Sequence, residues 1–222
     1  AMHAKGFTVT GSDENVYPPM STFLEQQGIQ IFPGFKAGNI PETAEVIVVG
    51  NAISRGNEEA EAALARKLLY VSLPEILKEH FLRGRRNLVV SGTHGKTTTS
   101  SMLAWILKSS EVDPSYMIGG IPRNLGQGAT FTDSEFVVLE GDEYDTAFFD
   151  KRSKFLHYLP EVVVINNIEF DHADIYDSLD EIKLTFKRLL NIVPRNGMAY
   201  VNGDCANTMD VASSGPSPIT TV

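Results

Sequence analysis

Residues 89–99 constrain the fold of this chain more than any other stretch. Two valines, Val89 and Val90, close a short apolar run, and a turn bounded by Gly92 and Gly95 follows. Glycines allow backbone N–H groups to approach phosphate oxygens closely, and the first turn of a helix adds the positive end of its dipole. The pattern therefore predicts a strand, a phosphate-binding loop and a helix in succession.

The two residues after the second glycine strengthen this interpretation. Lys96 can bind the β- and γ-phosphates as a point charge, and the Thr97 hydroxyl can bind Mg²⁺. The full phosphate-loop pattern has a glycine where Val90 stands, so the form present is the shorter G-x-x-G-K-T. An ordinary glycine turn before a helix is the alternative. The helix is predicted to carry one apolar side, formed by Met102, Leu103, Ile106 and Leu107.

Composition narrows the class of protein. The chain has 222 residues, of which 42% are hydrophobic and 21% charged, which is typical of a folded globular protein. The net charge of -9 argues against a nucleic-acid surface, because a phosphate backbone would be repelled. Cys205 is the only cysteine, and the apolar runs are too short to cross a bilayer. A cytoplasmic location is the expectation.

Alternating strand and helix patterns predict an α/β protein with two units. The first is expected over residues 1–84 and the second over residues 85–222, with the basic segment around Arg85 at the boundary. Residues 45–49 are apolar enough to predict a central strand of a parallel sheet. A starting strand is expected to be missing from the first unit. After Asp204 the chain loses periodicity, so the second unit is expected to be incomplete.

Polar residues follow two further strand patterns of the second unit. Glu140 closes one strand, and Asn167 and His172 follow another. Ligands bind outside the carboxyl ends of parallel strands, so these side chains are expected beside the phosphate loop. Carboxylate and hydroxyl oxygens are the ligands that Mg²⁺ prefers, which suits Glu140 and Thr97 better than an imidazole. For the acidic stretch 142–145, a solvated loop and a functional role both remain open.

Three strings carry a resemblance to a known family: G-T-H-G-K-T-T at 92–98, E-G-D-E at 140–143 and N-I-E-F-D-H at 167–172. Together they resemble the Mur ligases, ATP-dependent amide ligases of peptidoglycan synthesis with UDP-sugar-binding, central ATPase and C-terminal domains. The resemblance implies a Rossmann-like UDP-binding domain followed by a P-loop ATPase domain, both incomplete here. It also implies that the chain as given cannot complete a catalytic cycle.

The resemblance assigns roles residue by residue. The implied catalytic residues are Lys96, Glu140 and His172, and the implied metal ligands are Thr97, Glu140 and His172. The implied ATP-binding residues are Gly92, Thr93, His94, Gly95, Lys96, Thr97, Thr98 and Asn167. The implied UDP-sugar-binding residues are Ser12, Asp13, Asn51, Ala52 and Asn124. Several relatives carry a carbamylated lysine on the helix that follows the histidine. This sequence has Phe186 at that position, so no carbamate is expected.

Within the family, residues 11–21, 50–57 and 145–155 resemble the branch that joins UDP-N-acetylmuramate to L-alanyl-γ-D-glutamyl-meso-diaminopimelate in peptidoglycan recycling. ATP and Mg²⁺ would be required, and the muramate carboxylate would react as an acyl phosphate. The basic residues Lys151, Arg152 and Lys154 could attract substrate carboxylates or form a solvated face. Four alternatives remain: the branch that adds L-alanine, a generic P-loop phosphotransferase, a non-catalytic nucleotide-binding module, and a dinucleotide-dependent oxidoreductase. The last would require a G-x-G-x-x-G string, which is absent.

Overall fold

The computed structural model of the chain describes residues 1–171 and 176–222. The backbone divides into two compact units. The first contains Ala1–Ser72 and Ala147–Phe149, and the second contains Leu73–Thr146 and Asp150–Val222. The functional boundary between residues 84 and 85 remains a prediction.

The first unit alternates strands and helices, as the sequence pattern predicts. Its regular elements are β1 (Thr10–Asp13), α1 (Met20–Gln26), β2 (Gln30–Pro33), β3 (Ile47–Val49), α2 (Glu58–Ala65) and β4 (Tyr70–Ser72). Strand β1 pairs in parallel with β2, and β3 pairs in parallel with β4. The Asn57 side chain caps α2, because its Oδ1 accepts hydrogen bonds from the N–H groups of Glu59 and Ala60 at 3.0 and 3.1 Å.

The prediction of a central strand at residues 45–49 is wrong. Among the described residues, β3 pairs only with β4, a three-residue strand that the sequence pattern did not reveal. Val49 is buried, but Val48 is 46% exposed. The strand therefore has one solvent-facing side, whereas a central strand of a parallel sheet is covered on both faces.

The second unit is built around a seven-stranded sheet with the strand order β13-β12-β11-β5-β8-β6-β7. Its strands are β5 (Arg86–Ser91), β6 (Ser115–Met117), β7 (Ala129–Thr130), β8 (Phe136–Gly141), β11 (Pro160–Ile165), β12 (Met198–Val201) and β13 (Ile219–Thr221). A separate pair is formed by β9 (Asp145–Ala147) and β10 (Asp150–Ser153). The helices are α3 (Leu73–Leu77), α4 (Lys96–Ser109), α5 (Leu179–Asn191) and α6 (Ala206–Ala212).

Three adjacent parallel strands position the candidate site. Strand β5 lies between β8 and β11, with Val90 opposite Glu140 and Ser91 opposite Ile165. Val89 and Val90 are fully buried, so the loop that follows β5 starts from a rigid central strand. Because all three strands run in the same direction, the segments that follow them emerge at the same edge of the sheet.

Helix α5 carries an apolar stripe with the spacing of an amphipathic helix. Ile182, Phe186, Leu189 and Leu190 are buried, and the Ser178 hydroxyl caps the helix by accepting from the N–H of Glu181 at 3.4 Å. Phe186 is fully buried, with its ring 5.7 Å from that of Phe155.

The predicted apolar side of α4 is wrong. Met102 and Ile106 are 60% and 56% exposed, whereas the buried residues of the helix are Ser100 and Ala104. Leu103 and Leu107 are partly buried against a cluster that includes Ala104. The side of α4 that packs inward therefore carries small side chains.

Regular structure continues after Asp204, where the sequence shows no periodicity. Helix α6 and strand β13 follow that residue, and β13 extends the sheet by pairing with β12. Both elements are short, with seven and three residues, and this is too few for a periodic pattern to stand out. Within the described part of the chain, none of the helices is long and apolar enough to cross a membrane.

Candidate nucleotide-binding site

The loop between β5 and α4 depends on two glycines with positive φ. Gly92 has φ +130°, and a Cβ atom at this position would lie 3.0 Å from the backbone N and O atoms of Asn167. Gly95 has φ +79° and precedes the first residue of α4. A side chain at either position would strain the backbone or displace the neighbouring segment. The loop can therefore adopt this path only with glycine at both positions.

The segment after β11 supports the loop from the side. The N–H of Thr93 donates to the Asn167 carbonyl at 3.0 Å, and the N–H of His94 donates to Asn167 Oδ1 at 2.7 Å. The Thr93 hydroxyl accepts from the N–H of Glu169 at 2.9 Å, and Asn166 Nδ2 donates to the His94 carbonyl at 3.2 Å. Asn167, predicted as an ATP-binding residue, thus lies beside the loop and fixes its conformation.

The Lys96 ammonium folds back onto the loop that precedes it. Its Nζ atom lies 2.9 Å from the Gly92 carbonyl and 3.2 Å from the Thr93 carbonyl. The third contact is with Glu143, whose two carboxylate oxygens lie 2.9 and 3.1 Å from Nζ. The Glu143 side chain is only 3% exposed, and that of Lys96 is 14% exposed. Burial raises the pKa of the Glu143 carboxyl, and the charge of Lys96 opposes that rise.

Sequence reasoning did not identify Glu143 as the partner of Lys96. It placed Glu143 in an acidic stretch for which a solvated loop was an equal alternative. The other acidic side chains of the stretch pair with lysines: Asp142 Oδ2 lies 2.7 Å from Lys154 Nζ, and Asp145 contacts Lys151. Only the structure distinguishes the buried carboxylate from its more exposed neighbours.

Glu140 and Thr97 meet at the edge of the sheet, as expected from the strand ends. The Thr97 hydroxyl donates to Glu140 Oε1 at 2.9 Å, and the N–H of Gly119 donates to Glu140 Oε2 at 2.8 Å. Both carboxylate oxygens are therefore held in a defined orientation. The site thus presents one oriented carboxylate and one hydroxyl next to the Lys96 loop.

This donor set fits Mg²⁺ bound together with a nucleotide. Mg²⁺ usually takes one or two protein oxygens and completes its coordination with waters and substrate phosphates. Over residues 1–171 and 176–222, no group of three or more His, Cys, Asp or Glu side chains is arranged to hold a metal. Thr97 and Glu140 would therefore hold the ion with the help of phosphate oxygens. His172, the third predicted ligand, lies outside the described residues.

Two adjoining clefts border the loop. One has a volume of about 330 Å³ and is lined by the loop and the start of α4, Thr93–Thr98. The other has a volume of about 410 Å³ and includes Asn166, Asn167 and Asn202 in its lining. His94 and Gly95 line both. Each volume lies in the range of small-molecule pockets, so the two clefts together offer room for phosphates and for an attached group.

The predicted UDP-sugar residues lie in both units. Ser12 and Asp13 end β1, where Ser12 Oγ accepts from Asn39 Nδ2 at 3.3 Å. Asn51 and Ala52 are exposed and follow β3 in the same unit. Asn124 is an exposed turn residue of the second unit. Each is at or after a strand end or in a turn, and their role as a binding set remains a prediction.

The three cations predicted as a possible carboxylate-binding group are paired within the chain. Lys151 contacts Asp145, Lys154 Nζ lies 2.7 Å from Asp142, and Arg152 Nη2 lies 2.8 Å from Asp150. Arg152 holds the pKa of the Asp150 carboxyl at about 2, well below its usual value. These pairs favour a structural role for the three cations.

We expect Gly119→Ala to disturb the orientation of Glu140 without removing it. A Cβ atom at Gly119 would lie 3.0 Å from Glu140 Oε1 and 3.3 Å from Oε2, so the carboxylate would have to shift. Groups that orient a metal ligand typically affect metal affinity 10- to 100-fold, and a small shift should cost about tenfold. The measurement is the ratio of ATP affinities with Mg²⁺ and with a chelator. Gly38→Ala is the control, because a Cβ there meets open space; an unchanged ratio in Gly119→Ala would contradict the prediction.

Family models match both parts of the chain. The model described as the Mur ligase middle domain matches residues 90–222, and the model described as the Mur ligase family, catalytic domain, matches residues 1–85. The chain belongs to the Mur ligase family. The resemblance inferred from the short strings is therefore confirmed, and the loop, Glu140 and Asn167 all lie within or directly beside the matched Mur ligase middle domain.

Individual Mur ligases extend this result. The chain is 50% identical over 200 residues to the UDP-N-acetylmuramate–L-alanyl-γ-D-glutamyl-meso-2,6-diaminoheptandioate ligase of Haemophilus influenzae, covering 89% of this chain and 44% of that protein. It is 34% identical over 208 residues to the UDP-N-acetylmuramate–L-alanine ligase of Dictyoglomus turgidum, covering 93% of this chain and 42% of that protein. The crystal structure of the corresponding tripeptide ligase from Neisseria meningitides superposes with a TM-score of 0.91 at 45% identity, covering 98% of this chain and 71% of that one. The chain thus spans less than half the length of these two curated relatives.

Proposed function

We propose that this chain carries the UDP-sugar-binding and ATP-binding parts of a ligase that joins UDP-N-acetylmuramate to L-alanyl-γ-D-glutamyl-meso-diaminopimelate. The observation that carries the proposal is the meeting of Thr97 and Glu140, 2.9 Å apart, beside the Lys96 loop at the end of adjacent parallel strands. In this assignment residues 1–84 bind the UDP-sugar and residues 85–222 bind Mg·ATP. The reaction would take place in the cytoplasm, as part of peptidoglycan recycling.

The chemistry explains why such a site is needed. A carboxylate is a poor acylating agent, because its leaving group would be oxide. Transfer of the γ-phosphoryl group of ATP to the muramate carboxylate produces an acyl phosphate and ADP. The amine of the tripeptide then attacks the acyl carbon, the C–O bond to phosphate breaks, and inorganic phosphate and a proton leave as the amide forms. The first step brings two anions together, so its barrier depends on positive charge and alignment.

The residues of the phosphate-binding loop would supply both the positive charge and the alignment. The Lys96 ammonium would interact with the β- and γ-phosphates, and the N–H groups of the loop and of the first turn of α4 would donate to phosphate oxygens. Thr97 and Glu140 would hold Mg²⁺, which supplies positive charge to the phosphates when bound. His172 is proposed as a further ligand from the family resemblance. The remaining proposed ATP-binding residues, Thr98 among them, border the same loop.

In the first unit, Ser12, Asp13, Asn51 and Ala52 are proposed to bind the uridine nucleotide. In the second unit, Asn124 is proposed as a UDP-sugar-binding residue from the family resemblance. This proposal is supported by their positions at or after strand ends or in a turn, where parallel α/β folds bind ligands. The tripeptide ligase is favoured over the L-alanine ligase, because identity is 50% to a relative named for the first activity and 34% to one named for the second.

Trapping of the acyl phosphate tests the proposal directly. The natural polypeptide that contains these residues, incubated with Mg·ATP, UDP-N-acetylmuramate and hydroxylamine, is expected to form the muramoyl hydroxamate together with ADP. A reaction without UDP-N-acetylmuramate is the control and should release no more than background ADP. ADP release that is independent of the sugar nucleotide would favour a generic phosphotransferase. Amide formation with L-alanine but not with the tripeptide would favour the other branch of the family.

A further inference from the structure

We propose that Glu143 acts as an internal anion that occupies the Lys96 ammonium and competes with the nucleotide phosphates for it, so that Glu143 sets the nucleotide affinity of the site. The inference rests on the proposed function for the location of the phosphates. It concerns a residue to which neither the sequence motifs nor the family resemblance assigned a specific role.

The hydrogen-bond donors of Lys96 are all occupied by acceptors of the chain. An ammonium group has three N–H donors. The Gly92 carbonyl, the Thr93 carbonyl and the Glu143 carboxylate all lie within 3.2 Å of Nζ. Three donors therefore face three acceptors, and a phosphate oxygen can reach Lys96 with full hydrogen bonding only by replacing one of them.

The three acceptors around Lys96 differ in how easily a phosphate can replace them. The two carbonyls belong to the loop, which is fixed to Asn167 through the N–H groups of Thr93 and His94. Their displacement would require the loop itself to move. Glu143 differs in that it carries a negative charge, which repels an incoming phosphate. Exchange of one anion for another also keeps Lys96 neutralised, so Glu143 is the acceptor that phosphate replaces at least cost.

Contacts with neighbouring segments hold the backbone around Glu143. The Tyr176 hydroxyl donates to the Glu143 carbonyl at 2.7 Å and lies 3.1 Å from Ser153 Oγ. The adjacent Asp142 is held by Lys154, with 2.7 Å between the charged atoms. These contacts hold the segment in place, so the exchange is confined to the Glu143 side chain. The carboxylate therefore remains close to the phosphates after the exchange and continues to weaken their binding.

The test is isothermal titration of the protein with Mg·ATP and, separately, with inorganic pyrophosphate. Glu143→Gln is expected to tighten the binding of both ligands by about fivefold to tenfold, because it removes one like charge beside the phosphates. Asp145→Asn is the matched control: it removes the same charge two residues away, and its partner is Lys151 rather than Lys96. We expect it to change either affinity by less than about twofold.

Weaker or unchanged binding of Mg·ATP by folded Glu143→Gln would overturn the inference, because Glu143 would then hold Lys96 in place for the nucleotide. If that variant does not fold, Glu143→Asp keeps the charge but withdraws it by one methylene, and it too must bind Mg·ATP more tightly than the wild type. The two proposals fail differently. A folded wild-type protein that binds neither Mg·ATP nor pyrophosphate, with variants that do not bind either, contradicts the proposed function as well as the inference. A wild type that binds Mg·ATP while the Glu143 variants show no gain contradicts the inference alone.

Discussion

Replacement of Lys96 by methionine is expected to weaken Mg·ATP binding by about 100-fold, because a hydrogen bond from a charged donor to phosphate contributes up to about 3 kcal/mol. Methionine retains the length and apolar stem of the side chain while the ammonium is lost. The measurement is the Kd for Mg·ATP by isothermal titration. Lys154→Met is the matched control, since Lys154 is a cation paired with Asp142 rather than with the loop carbonyls, and it should change the Kd by less than about threefold.

The same substitution also removes the cation that faces the buried Glu143 carboxylate, so it is expected to lower the thermal stability of the protein. The double variant Lys96→Met/Glu143→Gln separates the two effects. It should recover part of the lost stability, because the buried charge is removed with its partner, but no more of the Mg·ATP affinity than the fivefold to tenfold gain expected from Glu143→Gln alone. A Lys96→Met variant that is folded and binds Mg·ATP as tightly as the wild type would rule out Lys96 as a phosphate ligand.

Substitution of Glu140 by alanine is expected to have the second largest effect on the reaction. Its carboxylate is the oriented oxygen donor beside Thr97, held by the Thr97 hydroxyl and by the N–H of Gly119. Without the Glu140 carboxylate, the Thr97 hydroxyl would be the only one of the two proposed ligands left to bind Mg²⁺. We expect ligase turnover to fall by about 100-fold, in the range seen when one preorganised electrostatic contact is removed. The measurement is turnover of the natural polypeptide at saturating Mg·ATP.

A second readout separates metal binding from simple damage to the site. In wild type, added Mg²⁺ should tighten ATP binding, whereas in Glu140→Ala this dependence should be largely lost while the Lys96-dependent affinity for pyrophosphate is retained. Glu161→Ala serves as the control, because Glu161 forms an ion pair with Arg86 at 2.7 Å near the opposite ends of β11 and β5. Unchanged Mg·ATP binding and turnover in Glu140→Ala would remove Glu140 from the proposed metal site.

Features that depend on neighbours in the chain could be predicted from the sequence. The strand, glycine turn and helix at residues 86–109 follow from local patterns, as does the capped apolar stripe of α5. The approach of Glu140 to the loop required only that β8 and β5 be parallel neighbours, because the ends of such strands share one edge. The family membership also follows from short strings, since the motif residues occur in order and at characteristic spacing.

Features that depend on distant contacts could not be predicted. Met102 and Ile106 have the spacing of a buried stripe, yet the side of α4 that packs inward carries Ser100 and Ala104. Helical periodicity identifies a face but does not decide which face meets the sheet when the helix must pack closely. The pairing of β3 with β4 was missed for a related reason: three-residue strands are stabilised by their partner and show little pattern of their own.

The sequence by itself determined the phosphate-binding loop, the chain order of the elements in the second unit that carry Lys96, Thr97 and Glu140, and the family. The tertiary structure decided how Lys96 is held. Asp142 and Glu143 are adjacent carboxylates, and only the path of the chain beyond β8 directs Glu143 to Lys96 while Asp142 pairs with Lys154. The physical reason is that burial and pairing of a charge depend on groups brought together from distant positions, 47 residues apart for Lys96 and Glu143.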